Sequence, residues 1–116
     1  MTRRDPLHSY RDMLAHAQEA VALANGKQRS DLDTDRLLNL ALVRLLEVVG
    51  EAANRTTANE QQQHPEIPWS QIVGLRNRLI HGYDVVDFDI LWQIVTDDLP
   101  ALIAKLEAIT PPKSTK

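Results

Sequence analysis

Cysteine is absent from the 116 residues, which removes disulfide frameworks, thiolate metal sites and a thiol nucleophile from consideration. Aromatic side chains make up 4% of the chain against 43% hydrophobic residues, so the core has to be assembled from Leu, Ile, Val and Ala. Only four glycines occur. With leucine and alanine abundant, that composition favours helices over sheets. No apolar run approaches the ~18 residues that a membrane span needs, and nothing at the N-terminus resembles a signal peptide, so the expected location is the cytoplasm. The net charge of −3 argues against broad coating of nucleic acid, because non-specific binding rests on cation–phosphate contacts. A local basic cleft remains open, with Arg44, Arg55, Arg76 and Arg78 as candidates, particularly where two copies of the chain meet.

The length fits one domain over residues 1–116, able to bury roughly two-thirds of its unfolded surface. A first helix is expected from the capping pair Asp5-Pro6 to Asn25-Gly26, with Leu7, Tyr10, Met13, Leu14, Ala17, Val21 and Ala24 at helical spacing. A second start signal lies around Asp31 to Thr34, and a long helix follows from about Asp35 to Thr57. Its apolar residues cover more than one stripe, which implies burial on more than one side, the second surface being a partner subunit. Gly50 in its middle costs about 1 kcal/mol relative to alanine, which close approach of another backbone would explain.

Residues Thr56 to Ile67 read as a connection. A third helix is expected from Pro68-Trp69-Ser70 to a break at Gly82, and a fourth from its cap at Asp87. The fourth has a core line of Phe88, Leu91, Val95, Leu99, Leu102, Leu106 and Ile109, with a kink about one turn upstream of Pro100. The tail from about residue 111 should fray. These elements form an all-α antiparallel bundle.

The chemistry concentrates in Arg76-Asn77-Arg78-Leu79-Ile80-His81-Gly82-Tyr83. Arginine is a permanent cation with a phosphate-shaped fork, and histidine moves protons near neutral pH. RNA carries its own nucleophile in the 2′-hydroxyl. His81 can serve the proton transfers and Arg76 can clamp the phosphate. Asn77 can orient the histidine or bind a phosphate oxygen, and Arg78 is a surface or phosphate-positioning residue. In an unbroken helix Arg76 and His81 stand roughly 140° apart, so convergence requires the helix to end or two subunits to share the site. On spacing alone a second reading stands beside this one, in which Arg, His and Tyr are solvated or capping groups at a helix end. Trp69 and Trp92 suit core or interface anchoring. His8, His16 and His64 lack partners at metal-ligand spacing, and the Glu47/Glu51 pair lacks the histidine of a bundle metal site, so no metal and no cofactor are expected.

Taken in order, Glu47-Val-Val-Gly-Glu-Ala-Ala53, His64-Pro-Glu-Ile-Pro-Trp69, the Arg76 to Tyr83 segment, Asp87-Phe-Asp-Ile-Leu-Trp92 and Asp97-Asp-Leu-Pro100 resemble the HepT-like branch of the HEPN superfamily. The resemblance implies a four- to five-helix HEPN bundle that forms a homodimer, with an active cleft where the two third helices meet. It implies that Arg76 and His81 fill the Arg-x4-His catalytic positions, with Asn77 as the polar residue after the arginine. It further implies a metal-independent endoribonuclease toxin, acting on tRNA or mRNA, paired with a minimal nucleotidyltransferase antitoxin of the MntA type that transfers AMP to Tyr83. The competing expectation is a non-catalytic helical dimer that binds nucleotide or a partner protein through the same cleft.

Overall fold

The computed structural model describes residues 5–81 and 85–112, with the side chain of His81 outside that description. Helix α1 runs Pro6–Ala24, and the Asp5 carboxylate accepts the Leu7 amide at its start. A single turn, α2, Asp31–Thr34, leads into α3, Arg36–Arg55, whose first turn is capped by the Asp35 side chain. At 20 residues α3 spans about 30 Å. It is the central element: α1 lies along one side of it, and α5 (Trp69–Val73) and α6 (Leu75–Leu79) along another. Asn39, buried in α3, donates to the Leu32 carbonyl at 2.9 Å and ties α2 down. Small side chains, Ala17 and Ala20 on α1 and Ala52 and Ala53 on α3, are fully buried and allow these helices to approach closely.

The segment expected to be a plain connection contains a helix, α4, Ala58–Gln63. Thr57 accepts the Glu60 amide at 3.2 Å to cap it. The helix is anchored by Tyr10, 2% exposed, whose hydroxyl donates to the Glu60 carboxylate at 2.6 Å. Trp69 is buried and its indole N–H donates to the His64 carbonyl.

The expected third helix departs most from its sequence reading. It is broken at Gly74, where ψ of 7° lies well outside the α-helical range, so α5 and α6 are separate five-residue pieces. The second piece ends at Leu79, short of Gly82. From there Ile80–His81 (β1) pairs antiparallel with Val85–Val86 (β2), Ile80 opposite Val86 and His81 opposite Val85. The β-branched Ile80, Val85 and Val86 favour extended backbone over a further helical turn. Asn77 and His81, four residues apart, would share a face in an unbroken helix, and that arrangement fails. So does the angular separation of Arg76 and His81 that an unbroken helix would impose.

The last helix begins at Asp87, whose side chain caps α7, Phe88–Gln93, and continues to Ile109 through α8, Leu99–Ile109. Between them Ile94–Asp98 forms a π-helical turn in which the Leu99 amide donates five residues back, to Ile94. Pro100 has no amide to give and crowds the carbonyl four residues before it, and the wider turn relieves that conflict. This π turn lies upstream of Pro100, in the region where a kink is expected. Leu91, Val95, Leu99, Leu102 and Leu106 are buried as the core line requires, with Phe88 and Ile109 half-buried at its ends. Much of the tail expected to fray lies outside the described residues. The architecture is predominantly helical, as the composition implies, with the short β1–β2 ladder as its one departure among the described residues.

Gly50 marks a tight approach of α3 to another element. A Cβ there would stand 3.1 Å from the Ile72 carbonyl oxygen, so the close backbone expected from sequence belongs to α5 of the same chain. Gly50→Val should lower the unfolding free energy by ~1–3 kcal/mol through overpacking, measured by urea denaturation. Wild-type stability in this variant would mean that α5 is not seated there.

Burial, reinforced by the Glu60 carboxylate, holds the Tyr10 hydroxyl protonated well above its ordinary value of 10. Above about pH 10 the unfolded chain releases a proton that the folded chain keeps. This contribution to stability is therefore complete below that pH and lost as pH rises further. Tyr10→Phe removes it, so the urea midpoint should fall more steeply in the wild type than in the variant between about pH 8 and pH 11. Parallel falls would refute the assignment.

Candidate active site

Arg76 stands on α6, one turn before the β1–β2 ladder, with its side chain 68% exposed. It borders a groove of about 450 Å³ between α3 and the α5–α6 pair, in which Glu47, Gly50, Glu51 and Asn54 lie across from Val73 and Arg76. The Arg76 Nε is 3.6 Å from Glu47 Oε2. The other oxygen of Glu47 lies 3.5 Å from Arg44 Nη1, and that nitrogen is also 3.7 Å from Glu51 Oε2. Two arginines from different elements are thus gathered around one carboxylate.

The four candidate arginines do not form one cleft within the chain. Arg44 and Arg76 come together through Glu47, whereas Arg55 pairs with Asp12 of α1 at 2.8 Å. Arg78 turns to the opposite side of α6 and pairs with Asp98 at 3.2 Å, beside a small cavity of about 30 Å³ that Gln71 and Leu102 also line. Asn77 is exposed on α6. The backbone of His81 follows on β1, five residues after Arg76. Its side chain, and the whole of Tyr83, lie outside the described residues.

Glu47 is the residue that sequence reasoning misses. It stands there only in the Glu47/Glu51 pair and the Glu47 to Ala53 segment, and its pairing with Arg76 bridges a separation along the chain that no helical period encodes. The available signal is indirect: Glu47 lies beside Gly50, on the turn of α3 where a close neighbour is expected.

His16 Nδ1 donates to the Asp12 carbonyl 2.7 Å away, and His64 packs edge-on against Tyr10 with its Nδ1 3.7 Å from Glu66. Among the described residues no helix is long and apolar enough to cross a membrane.

The chain is a small helical protein in which an exposed arginine borders an open groove. The ribonuclease HepT-like family matches residues 9–109, and the chain belongs to it. It is 30% identical to a "Putative RNase" of Methanocaldococcus jannaschii, over 94% of this chain and 100% of the relative. It is 35% identical to the "Probable ribonuclease HepT" of Thermococcus cleftensis, over 87% of this chain and 96% of the relative. No solved structure matches it significantly.

Proposed function

We propose that this chain is the toxin of a toxin–antitoxin pair, a metal-independent endoribonuclease whose active site combines Arg76 and His81 from two copies of the chain. The observation that carries this reading is the placement of Arg76, mostly exposed over an open groove, in a member of the ribonuclease HepT-like family. An arginine buried in structural pairing could not reach a polyanion, whereas this one can present its fork to a phosphate.

The chemistry uses groups that RNA and two protomers supply. A base removes the 2′-hydroxyl proton, O2′ bonds to phosphorus, the P–O5′ bond breaks, and O5′ takes up a proton. The products are a 2′,3′-cyclic phosphate and a 5′-hydroxyl. His81 provides the proton transfers, since imidazole titrates in the useful range. Arg76 stabilises the charge that grows on the phosphate oxygens, and Asn77 supports it with its amide. Arg78 lies farther along α6 and contacts RNA only where a phosphate displaces Asp98. The substrate class is tRNA or mRNA.

Dimerisation is supported by apolar surface that one chain leaves uncovered. Leu37 and Leu40 on α3 are 80% and 48% exposed, and Val73, at the groove itself, is also exposed. A second copy covering such surface is the arrangement that a shared site requires.

The partner is an MntA-type nucleotidyltransferase that moves AMP from ATP to the Tyr83 hydroxyl with release of pyrophosphate. Each AMP adds bulk and negative phosphate two residues from His81, so steric block and charge repulsion act together against RNA.

His81→Ala should abolish cleavage of total RNA by at least ~100-fold, with helicity and dimer mass unchanged and wild-type cleavage persisting in excess chelator. Retained cleavage by the pure variant would exclude the mechanism, and dependence on Mg²⁺ would place the activity elsewhere. Incubation with the nucleotidyltransferase and ATP should add AMP-sized mass to the Tyr83 peptide. A silenced toxin with Tyr83 unmodified would rule out the switch.

A further inference from the structure

Glu47 places a carboxylate against the proposed phosphate clamp, where its repulsion of RNA is a liability. An ion pair as exposed as Arg76–Glu47 adds little to folding stability, so its position calls for another account. We infer that Glu47 is a positioning residue for Arg76, a role that rests on the ribonuclease reading above and deepens its phosphate clamp.

Four features of the geometry carry this. Arg76 itself sits on weak support, a five-residue helix between the break at Gly74 and a two-residue strand. Glu47 sits on the 20-residue α3, one turn from the point where Gly50 brings α3 against the Ile72 carbonyl. The carboxylate is also the more buried partner, 25% exposed against 68% for Arg76. Finally, Arg44 occupies the Oε1 side of Glu47, so that Oε2 is the oxygen presented to Arg76.

A guanidinium has two edges with parallel N–H groups, one containing Nε and one formed by the two Nη atoms. Glu47 stands at Nε and leaves the Nη edge for the phosphate. Fixing one edge orients the planar fork before RNA arrives, and orientation of this kind acts on the transition state. The same negative charge weakens ground-state attraction for RNA. The two effects have opposite signs, and they separate the positioning role from a structural one.

The test uses the full-length protein and a fluorophore- and quencher-labelled single-stranded RNA of mixed sequence, under single-turnover and steady-state conditions. Glu47→Gln should lower kcat by roughly tenfold or more, with KM unchanged or reduced. In an Arg76→Lys background, which has no Nε edge, Glu47→Gln should lower kcat no further. Wild-type kcat in Glu47→Gln, a raised KM, or an equal loss in both backgrounds would overturn the inference. If Glu47→Gln loses helicity, Glu47→Asp carries the same test: it keeps the charge but falls one methylene short, and undiminished kcat would again overturn the role. Arg76→Ala keeps the two proposals distinct. Undiminished cleavage in that variant removes the ribonuclease site itself, whereas an inactive Arg76→Ala with a fully active Glu47→Gln removes only the role of Glu47.

Discussion

The close approach of α3 to α5 at Gly50 is the constraint on which the site depends. A glycine on α3 lets the Ile72 carbonyl come within 3.1 Å of the place a Cβ would occupy. That proximity makes one wall of the groove from Glu47, Gly50, Glu51 and Asn54, and sets Val73 and Arg76 across from it. Were α5 held off by the extra width of a side chain, the 3.6 Å contact between Arg76 and Glu47 would be among the first to open. The helix-propensity penalty of about 1 kcal/mol for glycine is the cost of placing a rigid helix beside a short one.

The distribution of structural strength follows the same logic. Helices α1, α3 and α8 supply most of the fully buried side chains, including Met13, Leu42, Leu46 and Leu106. The elements that bear Arg76 and His81 are a five-residue helix and a two-residue strand, too short to be stable on their own. They are held from outside: Leu75 and Leu79 are buried against the core, and the Asp87 amide donates to the Leu79 carbonyl at 2.8 Å. Two residues apart on α6, Arg76 and Arg78 leave opposite sides of that helix, Arg76 toward α3 and Arg78 toward Asp98.

The long elements are legible in the sequence because period and caps agree over many residues. Asp5 caps α1 where expected, and α3 begins next to the expected Asp35, although the start signal at Asp31 to Thr34 forms a turn of its own, α2. The core line of the final helix stays buried through its π turn. Helix α4 escapes notice because Ala-Asn-Glu-Gln-Gln-Gln has no apolar period, although Thr57 with Glu60 three residues later is a capping-box signal. The break at Gly74 is hidden inside the run Ile72, Val73, Leu75, Leu79, which looks continuous as a helix pattern. The ladder at Ile80 and Val86 is too short for alternation to be seen. At the site, residue types are readable and their partners are not, since the Glu47–Arg76 contact is set by packing between elements rather than by spacing within one.

An acidic chain acting on a polyanion has to engage it locally, and the ion pairs suggest how. Arg29 is held by Asp33 and Asp89, Arg55 by Asp12 and Arg78 by Asp98, each at 3.2 Å or less. These three arginine side chains are 36%, 35% and 38% exposed. Arg44 and Arg76 are 64% and 68% exposed and meet their carboxylates only at 3.5 Å or beyond. A phosphate approaching the first group must displace a close carboxylate, which the polymer gains little by doing. Approaching the second, it meets fork edges that remain open to solvent. Of these five arginines, Arg44 and Arg76 at the groove between α3 and α6 are thus the ones least tied to carboxylates.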